Sequence, residues 1–317
     1  MPCCRFTRVV TTALLAAGQV IWLAGGFPSF PVSPVRAEES RALTDEADDE
    51  VSFLRLTRDE AGEPRSLDTA VVRYAGEKAA AGGLEVDLVA AVHIGSEQYY
   101  ATLNRLFRDY DVVLYELVAP ENNRVPRAGA RPSGAIGSAQ QGLTSALGLA
   151  FQLQAIDYSR ANFVHADLSP QQFEEAMAKR GESWWTMFGR LMREGMAQAR
   201  RKQAAGDTSG EVGLGELFGL LFSSDRELQL RRIMAEQFTD MEVLTAAFGG
   251  ESGSTIITDR NAAAIDVMRQ QVAKGQERIA IFYGAAHMAD FDQRLRNDFD
   301  LEPLETTWVE AWDLRSE

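Results

Sequence analysis

Only three histidines stand in the chain, His93, His165 and His287. Each falls at the end of an apolar, β-prone run and is followed within a few residues by a helix signature. An imidazole offers either a metal-binding lone pair or a proton that moves near neutral pH. In open α/β sheets the carboxyl ends of strands line the ligand crevice. Histidines at two such ends can therefore face one crevice. Glu116 lies in Leu114-Tyr115-Glu116-Leu117-Val118, where a carboxylate is costly to bury without a partner. His93, Glu116 and His287 are the leading candidates for a site. Imidazole with carboxylate suits zinc, manganese or cobalt and needs no cysteine. The same three groups also suit metal-free acid–base work. His165 with Asp167 reads either as a neighbour of that site, and a further ligand, or as the cap of a turn. The plainer alternatives are hydrogen-bonded structural histidines and a Glu116 that pairs with a buried arginine.

Other chemistries are excluded by sequence. There is no Gly-x-Ser-x-Gly elbow, no His-Glu-x-x-His helix and no phosphate loop ending in Gly-Lys-Ser/Thr. The two cysteines, Cys3 and Cys4, stand at the extreme N-terminus. Without that segment the chain has no disulfide, thiolate ligand or cysteine nucleophile.

The elements that must position these residues alternate. Residues 51–56 and 69–74 read as strands separated by the turn-like Ala61-Gly62-Glu63-Pro64. Residues 84–94 form a longer strand-like run. Ser96 then caps a helix with Tyr100, Leu103, Leu106 and Phe107 at helical spacing. Residues 111–118 are nearly all apolar, as in a strand covered on both faces. This order is a βαβ unit, so an α/β fold with a mainly parallel sheet flanked by helices is expected. A long Pro/Gly/Arg-rich loop is expected at 119–138, a helix at 143–154, a short strand at 162–168, and a helix starting at Ser169-Pro170. Residues 182–248 carry no strand-like run and read as an inserted helical subdomain, either with its own core or as a lid. A helix at 257–272, a strand at 277–283, a helix at 290–299 and one or two strands at 304–314 complete the chain.

Of 317 residues, 45% are hydrophobic and 25% charged, an ordinary globular composition. The net charge of -14 argues against nucleic-acid or anionic-membrane partners. Residues 1–37 have Arg5 and Arg8, then an apolar run, then Val35-Arg36-Ala37. That is the order of a secretory signal, with an uncleaved anchor as the alternative. Either way the body is exported, periplasmic or secreted, and any membrane association runs through this segment. Residues 38–50 read as an acidic disordered leader. Residues 51–317 then form a single domain.

Four motifs in order give a resemblance. They are Ala90-Ala91-Val92-His93, Val113-Leu114-Tyr115-Glu116-Leu117, Thr258-Asp259-Arg260-Asn261 and Gly284-Ala285-Ala286-His287. Together they resemble the TraB/PrgY/GumN family, the bacterial relatives of the TIKI metalloproteases. The broader group includes haem-binding ChaN-like proteins and erythromycin esterases. The similarity covers residues 84–118 and 255–290. Ala90 departs from the family's glycine and Asp259 from its usual glutamate. The resemblance implies a metal-dependent hydrolase of peptides or proteins, with His93, Glu116 and His287 as ligands or acid–base groups. Arg260 and Asn261 would orient them or stabilise an oxyanion. The alternatives it leaves are a non-catalytic binder and a metal-free esterase-like hydrolase. The binder would take haem, through Tyr99, Tyr100 or His165, or a secreted peptide signal.

Overall fold

Alternation inside the apolar runs sorts their side chains onto two faces of one sheet. The structure is a computed structural model that describes residues 51–76, 83–119, 147–183, 225–239 and 254–316. Its strands are β1 (Leu54–Arg58), β2 (Pro64–Ala75), β3 (Glu85–Ala91), β4 (Ile94–Gly95), β5 (Val112–Tyr115), β6 (Ala150–Phe151), β7 (Phe163–His165), β8 (Arg278–Gly284) and β9 (Glu302–Asp313). Its helices are α1 (Glu97–Leu106), the single turn α2 (Gln152–Ala155), α3 (Pro170–Arg180), α4 (Arg226–Thr239), α5 (Arg260–Ala273) and α6 (Met288–Phe299).

Seven strands form one mixed sheet, and β4 and β6 form a small separate ribbon. β3, β8, β5 and β7 lie side by side and are all parallel. The antiparallel part is built on β2, which carries β9 on one edge and β1 followed by β3 on the other. The α/β expectation holds. The 84–118 unit holds too, but its two strands are not neighbours: β8, from nearly two hundred residues further along the chain, lies between them.

β3, β5 and β8 are buried along almost their whole length because helices cover both faces, whereas β7 at the sheet edge is half-buried. Val86, Leu88, Ala90, Ile281 and Tyr283 join one core with Ile265 and Met268 of α5 and Phe291 and Leu295 of α6. Val89, Ala91, Val113, Ala280 and Phe282 join the other with Tyr99, Tyr100 and Leu103 of α1. At roughly 1.5–3 kcal/mol per large apolar side chain buried, these two layers dominate the stability.

The helix starts follow their signals. Ser96 accepts from the Tyr99 N–H, and Ser169 forms a reciprocal capping box with Gln172, with Pro170 in the first turn. α3 ends at Gly181, whose φ of 64° an L side chain rarely adopts.

Some expectations change. One helix was expected at 143–154; among its described residues Leu147 is helical, Gly148 turns the chain with φ 62°, and β6 and the single turn α2 follow. A five-residue π-turn, Thr255–Asp259, precedes α5. The one or two strands expected at 304–314 are one, β9, which spans Glu302–Asp313. Of the expected insertion at 182–248, α4 is the described helix. It packs at the antiparallel edge, with Phe238 edge-on to Trp312 at 5.5 Å and Arg231 and Arg232 bonded to the carbonyls of Asp313 and Leu314. Residues 184–224 and 240–248 of the insertion, residues 1–50 and residues 120–138 of the expected loop lie outside the described residues. Among the described residues no helix is long and apolar enough to cross a membrane.

Candidate active site

The three leading residues sit just past the carboxyl ends of three parallel strands. His93 stands two residues beyond β3, Glu116 immediately follows β5, and His287 ends a 3-10 turn that follows β8. Parallel pairing puts these ends on one side of the sheet. The register sets Ala91, not Ala90, opposite Gly284. The two Gly/Ala-x-x-His motifs are therefore offset by one residue in the sheet.

Gly284 is the point on which the site converges. Its N–H donates to Glu116 Oε2 at 2.8 Å. A Cβ at this position would lie 3.4 Å from that oxygen, 3.8 Å from His287 Cδ2 and 4.0 Å from His93 Nε2. Glycine thus leaves the space in which the three groups meet.

Glu116 and Arg260 form the electrostatic centre. Arg260 Nη2 donates to Glu116 Oε1 at 2.8 Å, and both side chains are only 10% exposed. Arg260 also grips Asp167 in a fork, Nε to Oδ1 at 2.9 Å and Nη2 to Oδ2 at 2.5 Å. The Asp167 side chain is wholly buried, and its Oδ1 also accepts the Leu168 N–H. Burial opposes the Arg260 charge, but the Asp167 hydrogen bonds and the Glu116 charge outweigh it. Burial likewise raises the Glu116 carboxyl. His287, Arg260, His93 and the Gly284 N–H together outweigh that and hold it at about 2. Two carboxylates thus share one guanidinium.

The imidazoles have assigned orientations. Asn261 Nδ2 donates to the His287 carbonyl at 2.9 Å and to Asp290 Oδ2 at 2.8 Å. Its Oδ1 therefore faces the ring and accepts from His287 Nδ1 at 2.6 Å. His287 Nε2 is left as a lone pair, 3.6 Å from Glu116 Oε1. Burial lowers the His287 pKa to about 4, against the pull of Glu116, so the ring is neutral at neutral pH. His93 Nδ1 lies 3.2 Å from Gln152 Oε1, and Gln152 Nε2 donates to the Tyr158 hydroxyl. The Gln152 backbone N–H bonds the His93 carbonyl in turn. His93 Nδ1 is then the donor, and its Nε2 faces the site with a lone pair. Unlike His287, His93 is exposed, so the site opens to solvent on its side.

The remaining candidates are placed differently. The His165 ring nitrogen bonds the Leu117 carbonyl at 2.6 Å, tying β7 to the segment after Glu116. Asp167 enters the site as the second carboxylate on Arg260. Asp259 pairs with Arg180 at 2.7 Å, away from the histidines. Tyr99 and Tyr100 are each 1% exposed, with their hydroxyls on the Ala90 and Val92 carbonyls. Gln152, Tyr158 and Asp290 were not anticipated as supports. Nothing in their spacing marks them, because they reach the histidines only through the folded sheet.

A cavity of about 250 Å³ opens over this centre, lined by His93, Glu116, Gln152 and Arg260 with Leu117, Val118, Phe151 and Leu153. Among the described residues no group of three or more His, Cys, Asp or Glu side chains is spaced to hold a metal ion. By donor type alone, the two imidazole lone pairs with outer partners on the opposite nitrogens and the ionised carboxylate are of the kind that binds a divalent cation. In comparisons with family models, curated proteins and solved structures, nothing matches this chain.

Proposed function

We propose that the protein is an exported metal-dependent hydrolase of peptides or proteins, with His93, Glu116 and His287 at its centre. The observation that carries the reading is the 3.6 Å approach of His287 Nε2 to Glu116 Oε1. Both atoms are acceptors when the ring is neutral; Arg260 already donates to Glu116 Oε1, whereas His287 Nε2 keeps a lone pair that a cation or a proton donor beside Glu116 would take up. A divalent cation held by His93 Nε2, His287 Nε2 and Glu116 would supply Lewis acidity and an acidified water. The chain's own groups do the rest. Asn261 and Gln152 keep both Nε2 lone pairs turned inward, and Arg260 keeps Glu116 ionised. The solvent-facing His93 borders the path by which water and substrate enter. In the overall reaction water adds its oxygen to the carbonyl carbon, the C–N bond breaks, and the amine leaves with a proton. The substrate class and the export come from the motif resemblance and from residues 1–37.

A second reading is metal-free hydrolysis. It is favoured by one observation: both Glu116 oxygens already have partners, Arg260 and the Gly284 N–H. In that reading His93 is the base that takes the proton from water.

Elemental analysis of the purified protein, with peptide hydrolysis assayed before and after chelation, decides between them. Near-stoichiometric metal, and activity lost on chelation and restored by zinc, manganese or cobalt, is expected. Metal content should also fall in His93→Ala and His287→Ala. Activity that survives chelation moves the assignment to the metal-free reading. A haem absorbance band with no hydrolysis would overturn both.

A further inference from the structure

Arg260 is a shared wall between two cavities. On one side lies the site chamber of about 250 Å³. On the other lies a larger chamber of about 470 Å³, lined by Val118, Pro170, Phe173, Met177 and Ile256, with Glu174 and Arg260 as its polar members. Val118 borders both. Phe173 and Met177 stand one helical turn apart on α3 and form the floor, packed with Leu168 and Ile256 in a small apolar cluster separate from the two sheet cores. Val118 is 37% exposed, one of two large apolar side chains so exposed among the described residues.

Size decides how the two chambers divide the work. Pockets that hold small ligands span about 300–1,000 Å³. The site chamber falls below that range, so it accommodates little more than a scissile group and its water. The second chamber falls inside it. An apolar concavity opening beside ionised and imidazole groups matches the general make-up of a binding site, in which apolar walls bind and a few polar groups orient.

We infer that this second chamber is a specificity pocket that receives a large apolar side chain of the substrate, next to the scissile bond. Arg260 and Val118 mark the passage between side chain and scissile group. Glu174 adds a negative charge to the lining and disfavours acidic side chains. The chemistry at the scissile bond rests on the hydrolase reading, whereas the binding preference does not.

The test is calorimetric titration of the full chain with three blocked tripeptide amides: acetyl-Ala-Phe-Ala, acetyl-Ala-Gly-Ala and acetyl-Ala-Asp-Ala. Phe should bind at least about tenfold tighter than Gly, the scale on which apolar pockets discriminate, and Asp should bind no better than Gly. Met177→Trp, which fills the pocket, and Phe173→Asp, which makes it polar, should each abolish the preference. Circular dichroism identifies the variant that remains folded. Internally quenched versions of the same peptides separate the two claims. Selective binding without cleavage supports the pocket and sinks the hydrolase reading. Equal binding of the Phe and Gly peptides, with or without cleavage, overturns the pocket.

Discussion

Asn261 accepts the His287 Nδ1–H at 2.6 Å while its amide nitrogen is held by the His287 carbonyl and Asp290. One fully buried side chain thus fixes both the ring and the turn that carries it. Asn261→Ala should leave the ring free to change tautomer. Nitrogen NMR shifts of His287 should move from the Nδ1–H form toward a mixture. Activity or metal affinity should fall about 10–100-fold. The orphaned buried donor should cost about 1–3 kcal/mol in chemical denaturation.

The pH dependence of stability follows from the same ring. In chelated protein His287 titrates near 4 when folded and near 6.5 when unfolded. Between those values the unfolded chain binds the extra proton, so stability is fully present above pH 6.5 and declines as pH falls to 4. The whole step is about 3 kcal/mol. Glu116, depressed from 4.5 to about 2, adds a further loss of the same sign below pH 4.5. In His287→Gln the decline between pH 6.5 and 4 should flatten. An unchanged slope in that variant would show that the ring is not buried neutral.

Gln152 stands to His93 as Asn261 stands to His287, but on the solvent side. Gln152→Leu should lower kcat about tenfold or more with a smaller change in KM, because the ring loses orientation while the cavity keeps its shape. Gln152→Glu should restore the orientation and raise the acidic limb of the pH–rate profile. If neither variant alters kcat, Gln152 is packing alone.

Arg260→Lys tests the shared guanidinium. Lysine keeps the charge but cannot fork onto Asp167 and also reach Glu116. A loss of about 1–3 kcal/mol in stability is expected, together with a raised Glu116 pKa by carboxylate infrared titration. Asp167→Asn should mimic the stability loss but leave the Glu116 pKa nearly unchanged. If Arg260→Lys also leaves that pKa unchanged, Arg260 does not set the charge state of Glu116.

The strand ends were legible because apolar runs of strand length carried their polar residues at the far end. Glu116 was legible because nothing else in Leu114–Val118 explains a charge. Arg260 and Asn261 came from the motif resemblance, whereas their hydrogen-bond roles came only from the fold. The turn at Gly148 and the ribbon of Ile94 with Phe151 were hidden, because a two-residue strand has no period to read. Gln152 and Tyr158 look like ordinary polar residues in sequence. Their meaning depends on a ribbon that joins residues nearly sixty positions apart. Sequence order marked β3 and β5 as parallel strands of one sheet, next to each other or nearly so, with the His287 strand in the same direction; that β8 is the strand between them had no local signal.

That insertion of β8 has a consequence for how the protein comes into being. β3 and β5 emerge from the ribosome first, yet neither has its central partner until residues 278–284 follow. The loop that must close is long, and such pairings form late and slowly. His287 follows directly on β8, the strand that joins the His93 and Glu116 strands. The arrangement of His93, Glu116 and His287 is therefore complete only when the last fifth of the chain has docked.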